Sequence, residues 1–357
     1  MNSKKTEVYR QKKAEIRNRR ARSRQEEKDR RHHGSVTPRK KLSLLELLAR
    51  KKGKRRESIV FPEHFSIIDN PAESIRCLNA FKSALLSGTP LYLNAEGVRT
   101  ITIDTLLSVL AQMNAQKTKK LLYSVGGNFP RSEPAQTTFR DSGFLDYVNS
   151  KTNAFPESRD IIQIKAGSLA DPDIAKQLCD FSIQKLKMSK IQTSGLYNIV
   201  IEIIINSVMH AYEHEFKYNR WYCYAQYDRE KDEIGFTMLD TGLGIPETVR
   251  KNHGERIIKS VANLARGMGA TASPLVDAEL IVSALRGEFR TKTGESFRGK
   301  GLPTVREFAE SGYIENLTIV SSSGYVSYDP QGSKLLALSE PLVGTLFFWK
   351  MRNRGVQ

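Results

Sequence analysis

The chain reads as an α/β protein in which a two-layer α/β sandwich follows a small α/β domain and a basic N-terminal arm. Three observations carry that reading. Segments with helical and strand-like apolar periods alternate from about residue 90 to the C-terminus. The alternation falls into two blocks, over residues 61–150 and 151–357. Positive charge is concentrated almost entirely before residue 60, where few apolar residues occur.

In the first block Leu91 to Ala95 has the composition of a strand, Asp104 to Gln112 that of a helix and Lys120 to Val125 that of a second strand. A helix over Pro134 to Val148 completes a βαβα order, which argues for a small α/β domain. In the second block a helix is expected from Asp171 to Leu186, then a buried helix from Tyr197 to Tyr212. Strands follow at Trp221 to Tyr227 and Glu233 to Leu239. A long variable segment, residues 246–298, precedes a helix at Thr304 to Ser311 and strands at Asn316 to Val320 and Thr345 to Met351. Helices would cover one face of the resulting sheet.

The most informative stretch is Glu202-Ile-Ile-Ile-Asn206-Ser-Val-Met-His210-Ala211. A carboxylate and a carboxamide at i and i+4 project from one face of an apolar helix toward a common point. Such a pair can hold a divalent cation and a water; it can also be a satisfied buried polar pair, although burying a carboxylate without a partner is costly. Two glycine-bearing segments follow. Asp240-Thr-Gly242-Leu-Gly244-Ile245-Pro closes a strand, and Phe297-Arg298-Gly299-Lys300-Gly301-Leu302-Pro303 precedes a helix. Either alone would pass as an ordinary turn.

Together and in this order, the three elements resemble the N, G1 and G2 boxes of the GHKL ATPases, whose ATP-binding domain has the Bergerat fold. Gly344-Thr345-Leu-Phe-Phe-Trp-Lys resembles the last strand of that fold. The resemblance implies ATP and Mg²⁺ as ligands, with Asn206 on the metal and Glu202 orienting or deprotonating a nucleophile near the γ-phosphate. It implies that Asp240 accepts a hydrogen bond from the adenine amine, with Gly242, Gly244 and Ile245 against the base and Thr345 completing the pocket. Arg298, Gly299, Lys300, Gly301 and Leu302 would meet the phosphates at a helix start. Residues 246–298 then stand where the family carries its ATP lid. Gly267, Gly269, Gly287 and Gly294 with Lys251, Arg256, Arg286, Arg290 and Lys292 suit either a mobile cover or a solvated loop.

Glu202 at the first N-box position, followed by Asn206 and Met209-His210-Ala211-Tyr212, looks most like the anti-sigma serine kinases. Sensor histidine kinases usually carry Asn there. None of the six histidines (His32, His33, His64, His210, His214, His253) reads as a phospho-acceptor, and His210 reads as a helix-end packing residue. The first block is similar to STAS-like domains. The Gly-Leu that usually follows their phosphorylatable hydroxyl is absent after Thr105, which therefore reads as a helix-start residue. Expected activities are ATP hydrolysis or phosphoryl transfer to a protein Ser or Thr, in prokaryotic signalling or stress and defence. The alternative is a non-enzymatic ATP-gated switch that binds a protein or nucleic acid. A small STAS-like protein is one candidate partner, and a homodimer stays open.

At 357 residues and 39% apolar, the chain can build two modest cores. It contains no apolar run long enough to span a bilayer. Cys77, Cys179 and Cys223 lack metal-ligand or disulfide-framework spacing. With no hydrophobic signal segment after Met1, a reducing cytoplasm is the expected location. Residues 1–60 hold 22 Lys and Arg against 7 Asp and Glu, a net of +15, while the remainder holds 34 against 32. Contact of residues 1–58 with DNA or RNA phosphates, contact with an anionic membrane through Leu44, Leu45, Leu47 and Leu48, and a solubilising tail all fit that arm. Only Tyr9 among aromatic residues interleaves the basic ones, which argues against base stacking there.

Overall fold

The structure, a computed structural model, describes residues 56–118, 125–148, 158–211, 220–254, 276–289, 301–328 and 332–352. The unit they form is built on two principal sheets. The smaller is parallel: β1 (Glu57–Val60) and β5 (Val125–Gly127) flank β3 (Leu91–Asn94). A two-stranded bridge joins β2 (His64–Phe65) to β4 (Thr100–Ile101). Between the strands run α1 (Pro71–Ser87) and α2 (Ile103–Thr118), followed by α3 (Glu133–Asp141) and α4 (Phe144–Val148). The sequence assigns residues 57–60 to the arm, but they pair in register with β3, Glu57 opposite Leu91 and Val60 opposite Asn94. The sequence reading gives residues 66–90 no element. There α1 forms behind Pro71 in its first turn, buries Ile75, Leu78, Phe81 and Leu85, and ends at left-handed Gly88.

The larger sheet is antiparallel throughout. It takes the order β6 (Ile161–Gly167), β7 (Trp221–Asp228), β8 (Glu233–Asp240), β10 (Lys334–Arg352) and β9 (Glu315–Tyr328). Its first covering helix, α5 (Pro172–Leu186), starts where Asp171 accepts the Asp173 N–H at 3.1 Å. Next comes α6 (Lys190–Ala211), and α8 (Gly301–Glu310) packs against it after α7 (Val276–Leu285). β9 and β10 are far longer than the sequence suggests and form one extended hairpin.

Because alternate strand residues face opposite ways, the sheet sorts its side chains cleanly. Tyr222, Tyr224, Leu239, Val320 and Leu346 join one apolar core with Phe65, Leu78, Phe81, Leu106 and Leu110 of the N-terminal segment. α1 packs on β10, and α2 packs on β7 and β8. The two blocks of the sequence thus share a core: one face of the large sheet is covered by α1 and α2, the other by α5, α6 and α8. Asp240, Met238 and Phe236 have the opposite parity to Leu239 and lie on the α6 side.

Asp104 secures the N-terminal segment. Its buried carboxylate accepts the N–H groups of Ile67 at 2.9 Å, Ile68 at 3.0 Å and Thr105 at 2.8 Å, and the Thr102 hydroxyl. Burial nevertheless pushes it up to about 6. The Thr105 hydroxyl, fully buried, is directed at the carbonyls of Phe65 and Thr102, a helix-start role.

Candidate functional site

α6 is apolar on nearly every side, with Leu196, Ile199, Val200, Ile203 and Ile204 buried. Glu202 and Asn206 interrupt it, both half-buried. They converge on the first residue of α8. A β-carbon placed on Gly301 would stand 3.0 Å from Asn206 Nδ2 and 3.1 Å from Glu202 Oε2. Glycine lets the backbone at this helix start approach both polar tips without displacing them. Pro303, in the first turn of α8, costs no intrahelical hydrogen bond.

Sequence reasoning missed the residue that allows this approach. Gly195, two turns before Glu202, lies under Phe308 of α8, and any β-carbon there would overlap the Phe308 ring. A glycine inside a helix carries no functional signature by itself, so only the packing reveals it. Gly195→Ala is expected to force α8 away from α6, lowering stability by about 1–3 kcal/mol. Denaturant unfolding checks the first effect. A parallel loss of nucleotide affinity would show that the Gly301 approach depends on it.

At the other end of the site, Asp240 closes β8 opposite Thr345 of β10 and Trp221 of β7. Its carboxylate is buried, accepts the Gly242 N–H at 2.7 Å and is further held by the Thr345 hydroxyl and N–H. Burial outweighs these donors and raises the carboxyl to about 6. Gly244 is left-handed at φ +88°, and a β-carbon on it would press to 2.8 Å from Ser321 Oγ. Ser321, fully buried on β9, accepts the Ile245 N–H at 2.9 Å, reaches the Gly344 carbonyl at 3.2 Å and pairs with the Thr345 hydroxyl at 3.0 Å. Ser321 therefore ties the turn after Asp240 to the strand that carries Thr345. Nothing in its local sequence distinguishes it from Ser322 and Ser323.

The two ends are linked by apolar packing. Ile245 and Leu302 both lie against a small cluster of Val249, Leu280 and Ala284. The turn after β8 and the start of α8 are thereby fastened to the same group. Arg298, Gly299 and Lys300 lie outside the described residues, as do Gly267, Gly269, Arg256, Arg290, Lys292, Gly294, Tyr212 and His214. Of the 246–298 span, residues 246–254 are helical, and α7, which packs on β9, buries Ala278, Ile281 and Leu285 as well as Leu280. The part of α7 is thus packed helix and not a solvated loop. Its seat is specific: Asp277 pairs with Arg250 and accepts the Ser323 N–H at 2.9 Å, and a β-carbon on Gly324 would collide with the Asp277 backbone.

Among the described residues no group of three His, Cys, Asp or Glu converges as metal ligands, and no helix is long and apolar enough to cross a membrane. Burial pushes the Cys223 thiol up to about 12 and Cys179 up to about 11, which suits apolar packing rather than nucleophilic chemistry. No protein-family model matches the chain, and no curated protein compared with it matches.

Proposed function

We propose that this protein binds ATP with Mg²⁺ on the α6 side of its antiparallel sheet and directs a hydroxyl, of water or of a protein Ser or Thr, at the γ-phosphate. The observation that carries the reading is the meeting of Glu202, Asn206 and Gly301, residues about a hundred positions apart, at one helix start. Backbone N–H groups at such a start attract phosphate oxygens. Glu202 stands one turn from Asn206 and would orient or deprotonate the attacking hydroxyl. Asn206 would hold the Mg²⁺. One carboxamide is a sparse donor set of the kind that suits this hard cation, which keeps waters and takes phosphate oxygens for the rest of its shell. When bound, the ion supplies charge neutralisation at the phosphates. Asp240, with Thr345 behind it, would accept the adenine amine, and Gly242 with Gly244 would leave room for the base.

The GHKL resemblance, a cytoplasmic location and the STAS-like reading of residues 61–150 belong to the same proposal. Purified protein incubated with γ-³²P-ATP, with and without candidate protein partners, tests it. Mg²⁺-dependent free phosphate or labelled protein is the expected result. Binding without turnover would favour the ATP-gated switch, to which the core shared by the sheet and the N-terminal segment lends itself. Absence of both binding and turnover would overturn the ATP reading.

The arm belongs to a separate part of this proposal, contact with DNA or RNA phosphates. Because β1 begins at Glu57 and Arg56 lies over the Tyr92 ring at 5.1 Å, the cut that isolates the arm is after residue 55. Deleting residues 1–55 is expected to preserve ATP affinity and abolish nucleic-acid binding. Binding by the full chain should weaken steeply with salt, as counterion release requires. A full-length protein that fails to retard DNA or RNA at low ionic strength would rule this contact out.

A further inference from the structure

The strand that carries Thr345 is strongly irregular just before it. Between the pairs Ala337–Gly324 and Thr345–Ser321, eight steps along β10 are matched by only three along β9. The surplus forms a double bulge, residues 338–341 and 343–344, on either side of the Leu342–Ser322 pair. Such bulges bend a strand and re-aim its side chains, and they are frequent beside functional sites. This one ends at Gly344, left-handed at φ +84°, where any β-carbon would collide with the Asp240 carbonyl. Opposite it, Ser322 is also left-handed at φ +52°, a conformation that costs a non-glycine residue free energy and persists only where surrounding contacts impose it.

Ser322 itself is hydrogen-bonded to Asp277 of α7, whereas the surplus residues of β10 are contacted by the N-terminal segment. On α1, Asn79 Nδ2 donates to Glu340 Oε2 at 2.9 Å and to the Pro341 carbonyl at 3.2 Å, and Arg76 stands 3.8 Å from the Glu340 carboxylate. Leu342, between the two parts of the bulge, is buried in the shared core. Farther along the hairpin, the Tyr325 hydroxyl donates to the Ile68 carbonyl at 3.2 Å. The outer part of the bulge is therefore gripped by α1, while its inner end forms the floor under Asp240.

We infer that Asn79 is a positioning residue for the nucleotide site: by holding Glu340 and Pro341 it fixes the β10 bulge in the form that presents Thr345 to Asp240. The N-terminal segment then acts on the site through the β10 bulge. The inference rests on the ATP reading of the Asp240 pocket.

The test is ATP titration calorimetry on the full chain with Asn79→Leu, Glu340→Ala and the double variant, beside Phe81→Leu as a core substitution on the same helix. Losing the Asn79 hydrogen bonds is expected to weaken ATP binding about tenfold. Turnover at saturating ATP should be retained, and the pH midpoint of binding should move because Thr345 no longer meets Asp240 as before. Glu340→Ala should act alike, and the double variant should be no worse than either single one. Phe81→Leu should lower Tm while leaving affinity in place. Unchanged affinity in both Asn79→Leu and Glu340→Ala, or a loss in Phe81→Leu as large as theirs, overturns the inference. Should Asn79→Leu fail to fold, Glu340→Ala, on the partly exposed bulge, decides alone. Wild-type protein that binds no ATP removes the pocket reading and this inference with it; wild-type binding with indifferent variants removes only the inference.

Discussion

Glu202→Ala is expected to abolish phosphate release or transfer while leaving Mg·ATP binding largely intact. A base acts on the transition state far more than on the ground state, so its loss falls on kcat rather than on Kd. General-base contributions are about 10²- to 10⁴-fold, and the decrease should lie in that range. The position of Glu202 makes the outcome diagnostic. Its carboxylate tip stands beside Gly301, so truncation to Ala opens space at the α8 start without introducing a clash. Single-turnover kinetics with γ-³²P-ATP separates the two effects. Normal turnover in the variant would make Glu202 a structural residue and remove the kinase or ATPase assignment.

Much of this site was legible because its pieces are local. The i to i+4 spacing of Glu202 and Asn206 puts them on one face of any α-helix, and α6 does form. α5, β7 and β8 fall within a residue or so of their expected bounds, since Asp171-Pro172 is a strong helix start and the strands alternate or run apolar. What the sequence does not display is packing between distant segments. Tyr222 and Tyr224 look like ordinary strand aromatics, yet their faces bind the two blocks into one core. Gly195 matters only because Phe308 lies on it, and Ser321 only because Gly244, Gly344 and Thr345 meet there. The β9–β10 bulge is hidden for the same reason. Its surplus residues, Glu340 and Pro341 among them, look like a loop until α1 supplies their partners.

Asp240→Asn is expected to weaken ATP binding by about 1–3 kcal/mol, roughly 5- to 150-fold, because a buried acceptor for the adenine amine becomes a group that can present a donor. Its pH dependence gives a sharper signature. Burial raises the free carboxyl from 3.8 to about 6, so the ionised, acceptor-only form predominates only above that value. ATP affinity of wild type should therefore fall as pH drops through about 6, and the affinity difference between wild type and Asp240→Asn should shrink over the same interval. Stability runs the other way. A carboxyl whose folded pKa is raised stabilises the fold below its unfolded value, and that contribution is lost as pH rises through about 6. At pH 8 the ligand-free wild type carries the cost of a buried charge that the amide does not. The amide still accepts the Gly242 N–H. Tm of ligand-free Asp240→Asn at pH 8 should thus equal or exceed that of wild type while ATP affinity is lost, the opposition expected where a residue is kept for binding rather than for folding. Calorimetry and thermal unfolding from pH 5 to 8 check both halves. A variant that loses stability and affinity together would make Asp240 a structural carboxylate, and the adenine assignment would fall with it.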